Sequence, residues 1–419
     1  MQLTTNADLA QQLRAAFVAA PIPPQIGVAV SGGSDSIALL HLLVDWSRDG
    51  GPAVHAVTVD HGLRVDAAAE ARAVDQICAG LGVPHDTLRW QGHDGTGNLM
   101  DAARRARYRL IADWARGQGI AVIALGHTAD DQAETFLLRL ARGSGVDGLS
   151  GMAVWRQSQG QAWVRPLLGA GRDELRAFLV RRGIGWIDDP TNADAHYDRV
   201  KARQALAVLA PLGITRQRLV DTAARMVLAR RALDETAMRA ARDAARIEAG
   251  DVVLRREVLL AQPEEIRLRL LAQAIRWLTS ADYRPRLRPL SAALAQMTQG
   301  RRVTLAGCLL SGGRTEFRIG REPRAAMAAV SVPGAVWDGR WRVEGPEISG
   351  LQVRALGEAG LAQCAHWRAT GLPRMTLLAS PAVWKGEVLV AAPLARAEAD
   401  WRAVPAIDAQ RFFLSALSH

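Results

Sequence analysis

Lysine is almost missing from this chain: of the 52 Lys and Arg residues in 419, only Lys201 and Lys385 are lysines. Positive charge is therefore carried by guanidinium groups, whose planar forks suit phosphate and carboxylate oxygens. Cysteine is scarce as well. The 3 cysteines, Cys78, Cys308 and Cys364, are far apart and form no Cys-x-x-Cys pair. That spacing excludes a disulfide framework, a zinc ribbon and a local iron–sulfur motif. No apolar run reaches the roughly 18 residues of a membrane span, so no membrane association is expected. The start, Met1-Gln2-Leu3-Thr4-Thr5-Asn6, lacks the cationic and apolar blocks of a signal peptide. The cytoplasm is the expected compartment. Internal repeats and low-complexity tracts are lacking too.

What is present is a large apolar complement, 49% of residues, in a chain long enough for two or three domains. The net charge of +10 is unevenly spread. Residues 1–213 hold 21 basic and 22 acidic side chains, residues 214–325 hold 22 and 12, and residues 326–419 hold 9 and 8. A GC-rich coding bias explains arginine in place of lysine. It does not explain why acids fall short only in the middle. A concentrated basic stretch suits a polyanion such as nucleic acid, with binding that weakens as salt is added.

The first 190 residues alternate between strand-like and helix-like segments. The predicted strands are Ile26–Val30, Ala53–Val59, His85–Trp90 and Ile120–Leu125. The predicted helices are Asp35–Trp46, Ala67–Leu81, Asn98–Gln118 and Thr128–Arg142. This order predicts an α/β domain with a mainly parallel sheet, and ligands beyond the carboxyl ends of its strands. Thr215 to Met297 reads as amphipathic helix, and the chain turns strand-like from Val303. Arg321-Glu322-Pro323-Arg324 reads as a linker to a mixed α+β end with strands at Arg342–Glu344 and Val388–Ala391. The expected domains are 1–213, 214–325 (basic, mainly helical) and 326–419.

Three segments at predicted strand ends carry chemistry. Ser31-Gly32-Gly33-Ser34-Asp35-Ser36 follows the apolar run Ile26–Val30 and opens a helix. Its backbone N–H groups form an anion site, and its glycines let a phosphate approach closely. It lacks the Gly-Lys-Ser/Thr ending of a Walker loop and carries Asp35 instead, which fits a ligand for Mg²⁺ beside phosphates or, more plainly, a helix N-cap. Gly126-His127 opens the next stretch, where His127, Asp131 and Glu134 fall at i, i+4 and i+7 on one face. Such a stripe fits a metal site, a receptor for a cationic substrate that must lose a proton, or acids complementing a helix dipole. Asp60-His61-Gly62-Leu63-Arg64 offers an acid, an imidazole and an arginine at the third strand end. On a further helix start, Arg104 and Arg107 share a face suited to phosphate oxygens or to solvent.

The hexapeptide Ser31–Ser36 resembles the signature of the PP-loop ATP pyrophosphatases. Five ordered segments together resemble the bacterial tRNA(Ile)-lysidine synthases. They are Ser31–Ser36, His61-Gly62-Leu63-Arg64, Asn98 to Tyr108 with Arg104 and Arg107, Gly126 to Glu134 running into Arg142-Gly143-Ser144-Gly145, and Arg165-Pro166-Leu167-Leu168 with Trp186 to Asn192. Pro263 to Arg267 and Thr304 to Cys308 look like that family's tRNA-binding domain. Trp337 to Arg340 and Trp384 to Pro393 resemble its C-terminal domain more loosely. Where the family has Arg-Asn-Arg-Ile-Arg, this chain reads Arg199-Val200-Lys201-Ala202-Arg203, keeping the cations and losing the Asn.

The resemblance implies a ligase for which ATP and Mg²⁺ activate the wobble cytidine of tRNA(Ile) with a CAU anticodon. Free L-lysine then displaces AMP through its side-chain amine. On this reading Ser31, Gly32, Gly33, Ser34, Asp35 and Ser36 cradle pyrophosphate, and Asp35 holds Mg²⁺. Arg107 stabilises phosphate or the activated base. His127, Asp131 and Glu134 receive and deprotonate lysine, while His61, Arg64, Arg104, Arg199 and Arg203 add contacts. A monomer or homodimer is implied. The rivals are a tRNA thiolation enzyme on the same scaffold, which needs reactive sulfur, and a non-catalytic tRNA-binding protein.

Overall fold

The computed structural model describes residues 4–18, 21–62, 67–90, 99–188, 198–281, 284–396 and 398–414. Its contacts divide the chain into two compact units, Met1–Arg230 and Arg231–Ser418.

In the first unit, strands β1 (Gln25–Ala29), β2 (Ala53–Asp60), β3 (His85–Arg89) and β4 (Val122–Leu125) alternate with helices. The helices are α1 (Asn6–Ala15), α2 (Ser34–Arg48), α3 (Ala67–Leu81), α4 (Leu99–Gly117) and α5 (Ala129–Ala141). All but α1, which is not among the predicted helices, lie within one or two residues of the expected bounds. A short helix α6 (Val146–Leu149) leads into β5 (Trp155–Ser158) and β6 (Gln161–Val164), then α7 (Arg172–Arg181) and α8 (Asp198–Leu209). The sheet order is β3-β2-β1-β4-β6-β5, parallel except for the β5–β6 pair. The β5–β6 hairpin has no clear alternation in its sequence and was not among the predicted strands.

The inner parallel strands are buried because helices cover both faces, while β3 at the sheet edge is partly exposed. Ile26, Val28, Ile37, Leu40, Val74 and Phe178 belong to one core, which collects residues of α1, α2, α3 and α7. Ile111, Trp114, Ile123 and Trp163 form the other, under α4. A Cβ at Gly27 would come within 3.0 Å of the Trp114 ring, so the absent side chain lets α4 sit close to β1. Strand order reverses between β1 and β4, whose register sets Ala29 beside Leu125. That is the switch point at which ligands bind in open α/β sheets. The loop Ser31–Ser36 leaves one of these strands and Gly126-His127 leaves the other.

The expected helical run from Thr215 to Met297 is real at α9 (Arg216–Ala244), which begins in the first unit and ends in the second, and at α11 (Glu264–Thr279) and α12 (Leu287–Thr298). It is broken by the hairpin β7 (Ala245–Glu248) and β8 (Asp251–Arg255), followed by the short helix α10 (Arg256–Leu260). The break falls at Glu248-Ala249-Gly250-Asp251, where Ala249 and Gly250 both take positive φ (48° and 80°). The hairpin joins β9 (Arg302–Leu305), β10 (Cys308–Gly312) and β11 (Glu316–Arg321) in an antiparallel sheet ordered β7-β8-β11-β10-β9. Arg321, expected in a linker, ends β11 and pairs with Asp338 at 3.0 Å. Two further three-stranded sheets complete the unit and include both C-terminal strands that the sequence predicts. Among the described residues no helix is long and apolar enough to cross a membrane.

Candidate active site

The loop after β1 is built for an anion. Gly32 takes φ +87°, a region that costs an L-residue about 1–2 kcal/mol. A Cβ there would also lie 2.7 Å from Ile187 Cδ1. Gly33 is the N-cap of α2 and brings no side chain to cap it. The positive end of that helix therefore faces the loop uncapped by any side chain. Ser36 Oγ closes the turn, accepting from Ser31 N at 3.1 Å and donating to Gly33 O at 3.0 Å.

The end of β4 is pressed against this loop. A Cβ on Gly126 would meet the Asp35 carbonyl oxygen at 3.0 Å, so glycine permits the approach. Thr128 then caps α5, with Asp131 completing a capping box. Asp131 Oδ2 accepts from Thr128 N at 2.9 Å and from Thr128 Oγ1 at 3.1 Å. Its other oxygen, Oδ1, is left to face Arg199 at 3.3 Å and Arg172 at 3.7 Å. One turn on, Glu134 Oε1 accepts from Arg203 Nε at 2.5 Å, while Oε2 is buried with no partner. His127 precedes the cap, so the expected stripe is two helical acids with an imidazole just ahead of the helix.

Arg199 and Arg203 project from one face of α8 onto those two acids. The intervening Lys201 is exposed, and Val200 and Ala202 are buried. The residue type lost from the family pattern thus sits at a packed position, and both cationic contacts survive the change.

Helix α7 supplies two residues that sequence reading left out. Arg172 Nε donates to Asp35 Oδ2 at 3.0 Å. Arg176, one turn later, reaches Asp188 at 3.1 Å and approaches Ser34 Oγ at 3.5 Å. The signal available was Gly171-Arg172-Asp173-Glu174, a plain helix start with acids in its first turn. Nothing in that pattern says that its next arginines face a loop some 140 residues earlier.

A cationic wall stands opposite. Arg104 lies over the Tyr108 ring at 5.4 Å, and Tyr108 packs against Trp163 at 4.7 Å. Among the described residues no carboxylate pairs with Arg104 or Arg107. Burial pushes the Arg107 guanidinium below its ordinary pKa, and Arg104 and Arg199 add to this. His61 at the end of β2 packs edge-on to Trp90 at 6.0 Å, and its Nδ1 is buried without a partner. Arg64 lies outside the described residues.

Burial also sets the protonation states. It pushes His127 down to about 3, because Asp131 does not offset the desolvation together with Arg165, Arg199 and Arg104. His127 is therefore neutral at physiological pH. Burial raises Asp35 against the pull of Arg172, and raises Glu134 against that of Arg203. Asp131 is held below the usual carboxylate range: burial works against this, but its neighbour His127, Arg199, the Thr128 N–H and Arg172 together prevail.

The His127 shift has a consequence for stability. Between about 3 and 6.5 the unfolded chain binds a proton at this position that the native site refuses. Its effect is absent above pH 6.5 and grows as acid is added, so stability falls with pH in that window. Thermal melts from pH 7 to 4 should show a shallower acid loss in His127→Gln than in the parent. Parallel curves would contradict the assignment.

These groups line one cavity of about 910 Å³. It gathers Ser31, Gly33, Ser34, Asp35 and Ser36 with His61, Arg104, Arg107, His127, Asp131, Arg199 and Arg203, and adds Arg172 and Arg176. Glu134 is not among the lining residues and is tied to Arg203. A polyphosphate fits the uncapped helix end and the arginine excess. For Mg²⁺, no cluster of three or more His, Cys, Asp or Glu forms a cage among the described residues. Mg²⁺ beside phosphates needs only one or two carboxylates, and Asp35 stands in the right place to supply one.

The family model of the PP-loop domain matches residues 5–209. A tRNA(Ile)-lysidine synthase of Ruegeria pomeroyi is 49% identical over 420 residues, covering 100% of both chains. This chain belongs to the tRNA(Ile)-lysidine synthase family. Another tRNA(Ile)-lysidine synthase, from Bradyrhizobium diazoefficiens, is 42% identical over 64% of this chain and 76% of its own. Among solved structures, the U34-tRNA thiolase NcsA from Methanococcus maripaludis with its [4Fe-4S] cluster is similar at 16% identity. That match has a TM-score of 0.46 over 52% of this chain and 78% of that one. The chain carries a PP-loop domain, which supports ATP as its substrate.

Proposed function

We propose that this protein joins free L-lysine, through its side-chain amine, to the wobble cytidine of tRNA(Ile) bearing a CAU anticodon, consuming ATP in the cytoplasm. The observation that carries the reading is the meeting, in one cavity, of a phosphate loop and the buried acid Asp131, with Glu134 one turn along the same helix. Two chemical steps need those two features.

In the first step the cytidine O2 attacks the α-phosphorus of ATP. An O2–P bond forms, the bond from Pα to the bridging oxygen breaks, and pyrophosphate leaves. The oxygen at that ring position is a poor leaving group, and adenylation makes it a good one. The Ser31–Ser36 backbone receives the developing pyrophosphate charge, with Arg176 beside it. Asp35 would hold Mg²⁺, which supplies charge neutralisation at the phosphates when bound.

In the second step the lysine side-chain nitrogen attacks C2. A C–N bond forms, the C2–O bond breaks, and AMP leaves. The amine arrives protonated, since its unperturbed pKa is near 10.4. Glu134 and Asp131 bind the ammonium and take up its proton. The free Oε2 of Glu134 is the natural acceptor. Neutral His127 orients the amine and the base, and Arg107, with no acid partner among the described residues, faces the leaving phosphate. The basic stretch 214–325 grips the tRNA.

The thiolation alternative finds no carrier. All three cysteines are buried, and burial raises Cys78 to about 11 and Cys308 to about 12. Thiols so shifted are not nucleophiles at neutral pH. Incubation of the purified protein with ATP, Mg²⁺, radiolabelled lysine and an isoleucine tRNA transcript tests the reading. Label at the wobble base is expected, and a transcript without label would overturn it.

A further inference from the structure

Arg172 stands where three carboxylates converge. It is 3.0 Å from Asp35, 3.7 Å from Asp131 and 3.7 Å from Glu134, using a different nitrogen for each. Arg199 and Arg203 take the remaining close contacts to Asp131 and Glu134. Among the described residues three acids thus face three arginines, so each carboxylate already has a cationic partner without any substrate. Glu134 is 1% exposed and Asp131 7%. A lysine ammonium entering such a site would leave a positive charge uncompensated in a poorly solvated place, which is unfavourable. The acceptor for an ammonium exists, since Glu134 Oε2 is buried without a partner. What is lacking is the negative charge.

Among the three cations, Arg172 is held most loosely by the two α5 acids. Its 3.7 Å contacts compare with 3.3 Å for Arg199 and 2.5 Å for Arg203. Its one close bond is to Asp35, inside the phosphate loop. The loop is where ATP would bring several negative charges within reach of the same guanidinium. We propose that Arg172 is a positioning residue that exchanges anions: it blocks the lysine site while nucleotide is absent, and turns to the phosphates when ATP occupies the loop. Lysine then binds after ATP. Ordered loading keeps the amine away until there is a phosphate ester to displace. The inference rests on the reading of Asp131 and Glu134 as the lysine site.

The side chain can be changed without unfastening its helix. Arg172 N donates to Asp130 Oδ2 at 2.7 Å, and Gly171 N donates to Glu174 Oε2 at 2.6 Å, so the start of α7 is held by backbone groups. The test is calorimetric titration of L-lysine into the full-length protein, with and without Mg²⁺ and a non-hydrolysable ATP analogue. In the parent, lysine should bind at least tenfold tighter with the analogue, and the analogue should tighten equally with lysine. In Arg172→Gln, lysine should bind the nucleotide-free protein within about threefold of the loaded one. Arg172→Met serves if the first variant loses its native melting temperature. Equal lysine affinity in both states of the parent overturns the proposal and leaves the site reading standing. A tenfold ratio that persists in a folded variant also overturns it. Absence of lysine binding in every state of the parent retires the site reading itself, and the proposal with it.

Discussion

Asp35→Asn is expected to reduce ATP–pyrophosphate exchange, measured with tRNA present, by roughly 10²–10³-fold, the usual cost of losing one charge-stabilising group at a transferring centre. The substitution is isosteric and does not disturb the helix start, because Gly33 and not Asp35 is the N-cap of α2. What it removes is the one loop carboxylate available to Mg²⁺. It also removes the negative charge, though not an acceptor, at the closest partner of Arg172, which retains Asp131 and Glu134. A loss confined to lysine transfer, with exchange intact, would place Asp35 outside the adenylation step.

Glu134→Gln is expected to give the complementary pattern. Lysine incorporation should fall by about 10²–10⁴-fold, the range typical of a general base, while exchange stays within a few-fold of the parent. The amide keeps the volume and an acceptor for Arg203, so the packing around this almost fully buried side chain is preserved. It offers no site for the ammonium's proton and no charge to hold it. Asp131→Asn should act in the same direction but also weaken the cap of α5, since Asp131 Oδ2 accepts both the Thr128 N–H and its hydroxyl. Melting temperature therefore separates the two variants: it should drop for Asp131→Asn and hold for Glu134→Gln. Unchanged lysine incorporation in both would sink the assignment of these acids.

Much of the site was legible before folding was considered. Ser31–Ser36, Gly126-His127 and His61 each follow an apolar run of the length of a buried strand, so a parallel sheet brings them to one edge by topology alone. The register of β1 against β4 turns that expectation into a contact between Gly126 and the Asp35 backbone. The acids Asp131 and Glu134 were legible as one helix face. Their pairing with Arg199 and Arg203 was not, because α8 lies about 70 residues away in the chain and its periodicity says nothing of the neighbour it meets. The hairpin β7–β8 is hidden in the sequence for another reason. It follows a long amphipathic helix directly, and a short strand pair marked only by Ala249-Gly250 is swamped by the helical pattern on either side.

The order of residues along the chain was enough to set the α/β alternation, the phosphate loop, the family and the chemistry of ATP and a cationic nucleophile. These rest on local hydrogen bonding, apolar periodicity and short motifs, which neighbouring residues settle among themselves. Packing alone decided that Arg172 sits between Asp35, Asp131 and Glu134, that burial pushes His127 toward its neutral form, and that all three thiols are buried with their pKa raised. Those outcomes depend on burial and on ion pairs between distant residues, such as Arg172 and Asp35 at a separation of 137. Desolvation and charge pairing act through space, so they exist only once the sheet has brought its strand ends together.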